Sequence, residues 1–182
     1  MSAITAAPKP IENTSKLVLR FLPSLTDLAF LIPILFVFTA LPGIRALLRD
    51  GDTGWHLRTG DWILQHGQVP HKDLFSFAMP HGKWFAWEWG WDVLFSLIHE
   101  RWALSGVVLA TILGLGLTSV VLYRLVRRQA GNDVLALVIT SVAMFGSSFH
   151  CPARPHMLSW IFVVGFLHLI ERAEEGNQRA LW

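Results

Sequence analysis

Cysteine, tyrosine and charged residues are all scarce in this chain of 182 residues. Its single cysteine, Cys151, excludes an internal disulfide and a zinc site made of several cysteines from one chain, so we interpret it as a small buried hydrophobic residue. Charged side chains make up 15% of the sequence, whereas soluble domains carry about a quarter. The net charge is only +2 and the basic residues are scattered, so no nucleic-acid partner is predicted. These deficits favour a membrane protein.

Hydrophobic residues make up 53% of the sequence, and four apolar segments stand out. Residues 102–123 carry no charge over 22 positions, more than the roughly 20 needed to cross the hydrocarbon core. Residues 28–44 are also uncharged, but two prolines predict a kinked or shortened helix. Residues 134–149 and 157–170 are shorter, and the turn "HCPARPH" between them predicts a hairpin of two spans. The predicted fold class is therefore all-α: a polytopic membrane helical bundle of four transmembrane helices.

The connections between these segments predict the orientation of the chain. The basic residues of "RLVRRQ" are packed together, and dense basic loops face the cytoplasm. The N-terminal sequence lacks a small-residue cleavage site. We therefore predict that it is a tail followed by a signal anchor, and not a removable signal peptide. The predicted segments are a flexible cytoplasmic tail (1–24), transmembrane helix 1 (25–48), an extracytoplasmic loop (49–101), transmembrane helix 2 (102–125), a cytoplasmic loop (126–132), a hairpin of helices 3 and 4 (133–172), and a cytoplasmic tail or the start of a further segment (173–182).

The predicted outer loop is rich in tryptophan, with six of the nine tryptophans between Trp55 and Trp91. Residues 54–66 place their aromatic side chains near one helical face, and Gly67 follows as a C-cap. Such a helix would lie along the membrane surface, with its aromatic side toward lipid or toward the bundle. A second helix is predicted from "EWGWDVLFSLIHERW". Tryptophans at this depth serve as interfacial anchors, or as platforms for a sugar or a lipid substrate.

Two carboxylates, Asp50 and Asp52, follow the first apolar segment, where a charge is costly unless it is hydrated, paired or used. Asp52 and His56 are four residues apart and share a face of a helix that begins near Thr53. The pair could orient an imidazole, bind a divalent cation or act as a general base. The alternative is that Asp52 caps the helix N-terminus, which would leave Asp50 unexplained.

The stretch "DGDTGWHLRTGDWILQHGQVPHKDLFSF", followed by "WFAWEWGWDVLF", resembles the first extracytoplasmic loop of bacterial membrane proteins related to the GT-C glycosyltransferases. Those relatives carry D-x-D, W-H-L, G-x-W-I-L, H-G-x-V-P, D-x-F-S-F and E-W at similar spacings. The later "ARPHMLSWIFVVGFLHLIER" looks like the Arg-Pro turn and short helix of the same family. The resemblance covers about residues 27–175.

The resemblance implies an inverting transferase of the bacterial inner membrane, with its N-terminus in the cytoplasm, that uses a polyprenyl-phosphate-linked sugar. In such enzymes an acid beyond the first span activates the acceptor hydroxyl at the outer face, and a cation or an arginine offsets the charge of the leaving phosphate. The residues matched to these roles are Asp52 as the base, Asp50 as a second base or a ligand of a divalent cation, His56 as an orienting group, Asp73 and Glu88 as acceptor-binding groups, and Arg58 and Arg154 as phosphate-binding groups, Arg154 being equally suited to anchoring a lipid headgroup.

Family members have more spans than this chain. We therefore expect the chain to be the N-terminal portion of a longer enzyme, and we do not expect it to turn over alone. The alternative is a small non-catalytic subunit of a membrane complex. Gly106, Ala110 and Gly114 recur at intervals of four and would let a partner helix pack closely. His168, inside the fourth apolar segment, could ligate a haem or a pigment, or could make a buried hydrogen bond.

Overall fold

The structure is a computed structural model that describes residues 22–41, 43–79 and 82–176. Most of the predicted tail (1–24) and the last six residues lie outside this part of the chain. Apart from one isolated antiparallel bridge between Lys72 and Lys83, the regular structure of the described residues is helical, which confirms the all-α prediction. The helices are α1 (Leu25–Thr39), α2 (Ile44–Leu47), α3 (Asp52–His66), α4 (Trp89–Ala130), α5 (Asp133–Gly146), a short 3₁₀ turn (Ser148–His150) and α6 (His156–Glu174).

Helix α1 begins at a capping box. The hydroxyl of Ser24 accepts a hydrogen bond from the backbone N–H of Asp27 at 3.2 Å, and the Asp27 carboxylate accepts one from the backbone N–H of Ser24 at 2.8 Å. Ala29, Pro33 and Val37 recur every four residues and are the buried side chains of the helix. The helix ends at Thr39, so the predicted first span (25–48) is divided between α1 and the separate turn α2.

Helix α4 is two helical segments joined at a kink. Trp102 and Ala103 leave the helical conformation, and Ala103 has a φ of 51°, a backbone region that costs free energy for residues other than glycine. The first segment (89–101) ends in charged residues, so the apolar stretch able to cross a membrane begins at the kink. Twenty-seven residues (104–130) follow it, which makes the second segment about 40 Å long.

Two helices, α4 and α6, are long and apolar enough to cross a membrane. Helices α1 and α5 are apolar but have only 15 and 14 residues, fewer than the roughly 20 of a typical span. Four apolar helices are therefore found where four were expected, and two of them have the length of a full span. Only 6% of the residues in the apolar stretch of α6 are buried by the rest of the described chain.

The second segment of α4 is the centre of the helical bundle and packs against α1, α5 and α6. Its Val107 and Leu115 are fully buried in a cluster that includes Val37 and Met157. Polar side chains add hydrogen bonds within this apolar interior, since Ser119 donates to the backbone carbonyl of Ala29 at 2.6 Å. Cys151 is also buried, as predicted, and burial raises the pKa of its thiol to about 11.

Helix α3 packs against the first segment of α4, and the contact is closest at Gly60. A Cβ atom added to Gly60 would lie 2.0 Å from the backbone carbonyl oxygen of Asp92 and 2.6 Å from Cβ of Ser96. The absent side chain therefore lets the two helices approach at backbone distance. This contact therefore fixes the position of α3 against α4. Helix α3 carries two of the predicted site residues of the loop, Asp52 and His56.

Replacing Gly60 with alanine should force α3 away from α4 and destabilise the protein by about 1–3 kcal/mol, the usual cost of overpacking. Gly54 lies in the same helix, and an added Cβ there meets open space. Gly54→Ala should therefore leave stability unchanged or raise it by up to about 1 kcal/mol through helix propensity. Thermal unfolding of both variants in detergent measures the difference. Equal stability of the two variants would contradict the close contact.

Candidate functional site

The structure brings Asp50, Asp52 and Arg154 together at one end of the bundle; we refer to these three residues as the Asp–Arg cluster. The Arg154 guanidinium donates to Asp50 Oδ1 from one terminal nitrogen at 2.8 Å, and its Nε lies 2.6 Å from Asp50 Oδ2. The same terminal nitrogen also pairs with Asp52 Oδ2. Two guanidinium nitrogens therefore face the two oxygens of Asp50, but only the terminal nitrogen is placed to donate a hydrogen bond to this carboxylate.

Backbone contacts hold Arg154 in this position. The turn before α6 is tied to α2 because the N–H of Ala153 donates to the carbonyl oxygen of Leu47 at 2.9 Å. It is also tied to α3, since the Thr53 hydroxyl lies 3.4 Å from the carbonyl oxygen of Ala153. Residues about 100 positions apart in sequence are therefore adjacent, and the cluster does not depend on its charges alone.

The two carboxylates of the cluster differ in their surroundings. The side chain of Asp50 is 23% exposed and that of Asp52 is 46% exposed. The backbone N–H of Asp52 and the charge of Arg154 hold the pKa of Asp50 below its ordinary value, although partial burial opposes them. Asp50 is therefore ionised at neutral pH and is the more firmly bound partner of Arg154. Asp52 is the more accessible carboxylate.

His56 is buried against Asp92, with its Nδ1 2.7 Å from Asp92 Oδ1. The expected pairing of His56 with Asp52 was wrong, because the carboxylate that orients this imidazole comes from α4. Asp92 is fully buried. Burial raises the pKa of its carboxyl, and the hydrogen bond to His56 opposes that shift. The alternative of Asp52 as the N-cap also fails, because Gly51 is the N-cap and Asp52 is the first helical residue.

Beside the cluster, an aromatic cavity of about 310 Å³ is lined by Trp55, Asp73, Phe75, Ser76 and Trp84. Trp55 lies one turn beyond Asp52 in α3, and its ring meets that of Trp84 edge to face at a centroid distance of 5.7 Å. Asp73 accepts hydrogen bonds from the backbone N–H groups of Phe75 and Ser76, both at 2.9 Å. These hydrogen bonds hold the pKa of Asp73 below its ordinary value, so a carboxylate lines the cavity.

Three of the predicted site residues lie apart from the Asp–Arg cluster. Arg58 is on the exposed surface of α3, where its nearest acidic partner is Asp61 at 3.5 Å. Glu88 is exposed at the start of α4 and lies near Asp92, whose pKa its charge raises slightly. His168 lies toward the far end of α6, in a cavity that it shares with arginines. The structure thus unites Asp50, Asp52 and Arg154, with His56 and Asp73 close by in the loop.

The residues of the cluster do not fit a divalent cation well. Within the described residues no group of three or more histidine, cysteine or acidic side chains converges. The two carboxylates face the guanidinium of Arg154, whose positive charge occupies the position that a cation would need.

Sequence analysis missed Asp92, the partner of His56. The sequence does indicate it, because Asp92 is the only charged residue in the apolar stretch "WGWDVLFSLI". An acid in such a stretch is expected to be buried, and a buried acid requires a partner. A second hydrogen bond between the helices, from the Ser96 hydroxyl to Asp61 at 2.5 Å, was also missed. No family model, curated protein or solved structure matches the chain.

The buried carboxyl of Asp92 predicts a pH dependence of stability. Its folded pKa is raised above the unfolded value, so the folded state binds its proton more tightly and stability falls as pH rises from about 4 through the raised pKa. Asp92→Asn removes this titration while keeping an acceptor for His56. Wild-type protein should therefore lose stability relative to Asp92→Asn as pH rises across that window, measured by thermal unfolding in detergent.

The matched control for this prediction is Asp133→Asn, which removes a half-exposed carboxylate paired with Arg127 at 3.2 Å. Its stability relative to wild type should change little over the same pH range. If wild type instead gains stability relative to Asp92→Asn as pH rises, the burial of Asp92 does not govern its titration.

Proposed function

We propose that the chain is a GT-C-like membrane glycosyltransferase component, and that the Asp–Arg cluster is where an acceptor hydroxyl meets a polyprenyl-phosphate-linked sugar. The observation that carries the proposal is the convergence of Asp50, Asp52 and Arg154, two carboxylates and one guanidinium, beside an aromatic cavity. This set supplies a proton acceptor, a phosphate-binding cation and a surface for a sugar, with the loop providing the acids and the aromatic rings and the turn before α6 providing the arginine.

Asp52 is the proton acceptor in this proposal, because it is the more exposed carboxylate of the cluster. The acceptor oxygen attacks the anomeric carbon as its proton passes to Asp52. The bond from that carbon to the phosphate oxygen breaks, and its electron pair leaves with the lipid phosphate. Attack opposite the leaving group inverts the configuration of the sugar. Proton transfer of this kind contributes a factor of about 10²–10⁴ to rate.

Arg154 binds the leaving phosphate in this proposal. A guanidinium presents N–H groups in a fork that matches phosphate oxygens. In the described structure the fork is occupied by Asp50 and Asp52, so a bound phosphate would compete with them for its donors. That exchange would free the Asp52 carboxylate to accept the proton of the incoming hydroxyl.

The aromatic cavity would hold the sugar or the acceptor. Trp55 and Trp84 provide apolar ring surfaces for the C–H face of a pyranose, and Asp73 accepts hydrogen bonds from its hydroxyls. Trp55 also stacks on His56, with ring centroids 4.1 Å apart. The buried Asp92–His56 hydrogen bond therefore restrains the ring that forms one wall of the cavity. His56 acts as a positioning residue here.

A second function, association with a partner helix, is supported by a surface of α4. An apolar cavity of about 450 Å³ is lined by residues that include Gly106, Ala110, Leu109 and Leu113, of which the two leucines are exposed. The predicted small-residue face is divided, because a Cβ on Gly114 would lie 2.9 Å from Cε of Met157 in α6. A Cβ on Gly106 would likewise lie 2.6 Å from Cβ of Trp102, so Ala110 is the small residue of this face that remains partly exposed.

Asp52→Asn tests the proposed chemistry. The amide keeps the size of the side chain but accepts a proton poorly, so transfer should fall by about 10²-fold or more. The assay uses membranes of source cells in which the variant replaces the native chain, with labelled polyprenyl-phosphate-linked sugars extracted from the same cells as donors. The measurement is the label that leaves the lipid fraction, after subtraction of the value for cells lacking the chain.

Asp133→Asn is again the control, since it breaks an exposed ion pair at the opposite end of the bundle, and it should transfer at the wild-type rate. Unfolding temperatures of both variants establish that the proteins are folded. Wild-type transfer by a folded Asp52→Asn variant would remove Asp52 as the base. No difference between wild-type membranes and those lacking the chain would overturn the proposed function.

A further inference from the structure

Four arginines and a histidine line a second cavity, of about 340 Å³, between α4 and α6. It lies at the end of the bundle opposite the Asp–Arg cluster. Within the described residues its lining includes no carboxylate. The side chains of this arginine pocket are Arg124, Arg127, Arg128, His168 and Arg172.

The positive charge of the arginine pocket is only partly compensated. Arg127 pairs with Asp133 at 3.2 Å, and Arg128 pairs with Glu175 at 3.4 Å. Among the described residues, Arg124 and Arg172 take part in no ion pair. Like charges gathered in one pocket repel each other, so the pocket is suited to an anion that would bridge these guanidinium groups.

His168 gives a second observation at the same place. Its Nδ1 is shielded from solvent and has no hydrogen-bond partner among the described residues. A buried polar atom without a partner costs free energy that a bound ligand can recover. The pocket therefore combines partly compensated positive charge with an unsatisfied polar atom.

The position of the pocket indicates what kind of anion it meets. Twenty residues separate the kink of α4 from Arg124, which corresponds to about 30 Å of helix, the thickness of a hydrocarbon core. Exposed apolar side chains cover the intervening surface, among them Leu117 on α4 and Phe162 and Phe166 on α6. An amphiphile with its phosphate in the pocket could lay its chains along these side chains.

We infer that the arginine pocket binds the phosphate group of an anionic phospholipid headgroup at the membrane surface remote from the Asp–Arg cluster. Guanidinium forks match the oxygens of a phosphodiester, and basic pockets between membrane helices are a recurrent form of lipid recognition. The apolar surface beside the pocket favours a lipid over a free phosphate ion. This inference is independent of the proposed transferase activity.

Native mass spectrometry of the full chain, purified in detergent, tests the inference with phosphatidylglycerol as the probe. Wild-type protein should retain this lipid in preference to phosphatidylcholine, which carries no net charge. The double variant Arg124→Gln/Arg172→Gln removes the two unpaired guanidinium groups. Its apparent Kd for phosphatidylglycerol should rise at least about tenfold, as expected for loss of charge-assisted hydrogen bonds.

Arg45→Gln/Arg101→Gln is the matched control, since it removes two exposed arginines outside the pocket and changes the net charge equally. It should bind phosphatidylglycerol as wild type does. Arg124→Lys/Arg172→Lys keeps the charge but loses the fork, so its affinity should fall between those of wild type and the glutamine variant. Unfolding temperatures measured on the same samples establish whether each variant is folded. If the double variant is unfolded, the single variant Arg172→Gln, at an exposed position, replaces it in the comparison of phosphatidylglycerol affinity with wild type.

Three results would overturn the inference. Equal retention of phosphatidylglycerol and phosphatidylcholine by wild type would mean that the charge of the headgroup does not contribute to binding. Equal losses of affinity in the pocket variant and the control would mean that only net charge matters. Displacement of the lipid by inorganic phosphate at the same concentration would identify a free phosphate, and not a lipid, as the ligand.

Discussion

The contact between α3 and the first segment of α4 is the constraint on which the loop depends. Gly60 brings the two backbones together, and the Asp92 carboxylate, fully buried at that interface, needs the imidazole of His56 as its partner. An unpaired buried carboxylate would cost several kcal/mol or remain protonated. The hydrogen bond and the glycine together fix the rotation of α3 about its own axis.

That rotation determines which side chains of α3 remain available. At about 100° per residue, the six buried positions of the helix, from Thr53 to Ile63, form one face. Asp52 and Trp55 fall at the edge of this face and are both partly exposed. Asp52 therefore reaches Arg154, and Trp55 reaches the aromatic cavity. A different rotation would bury one of them or turn it away from its partners.

The ion pairs of the Asp–Arg cluster contribute less to stability than to position. Partly exposed pairs are worth about 0–1 kcal/mol, and the turn carrying Arg154 is already held by the backbone hydrogen bond from Ala153 to Leu47. The guanidinium can therefore change partners at little cost to the fold. A binding site requires this property.

Local features of the fold could be predicted from the sequence, and long-range partners could not. Helix α3 was expected over 54–66 and spans Asp52–His66, with Gly67 in the left-handed conformation at its C-cap (φ 65°), because periodicity and capping are encoded by neighbouring residues. The partner of His56 lies 36 positions away, and Arg154 lies about 100 positions from the acids that it binds. Hydrophobic periodicity indicates which face of a helix is buried, but it does not indicate which other segment of the chain packs against that face.

The charges of the two ends of the bundle suggest how the chain lies in a membrane. The Asp–Arg cluster carries one net negative charge, whereas the arginine pocket holds four guanidinium groups, only two of them paired within the described residues. Dense arginine near the end of a span favours the cytoplasmic side. With the pocket on that side, the Asp–Arg cluster would face outward, as the proposed transfer from a lipid-linked sugar requires. The same arginines that would bind anionic headgroups would then also set the orientation that the proposed chemistry needs.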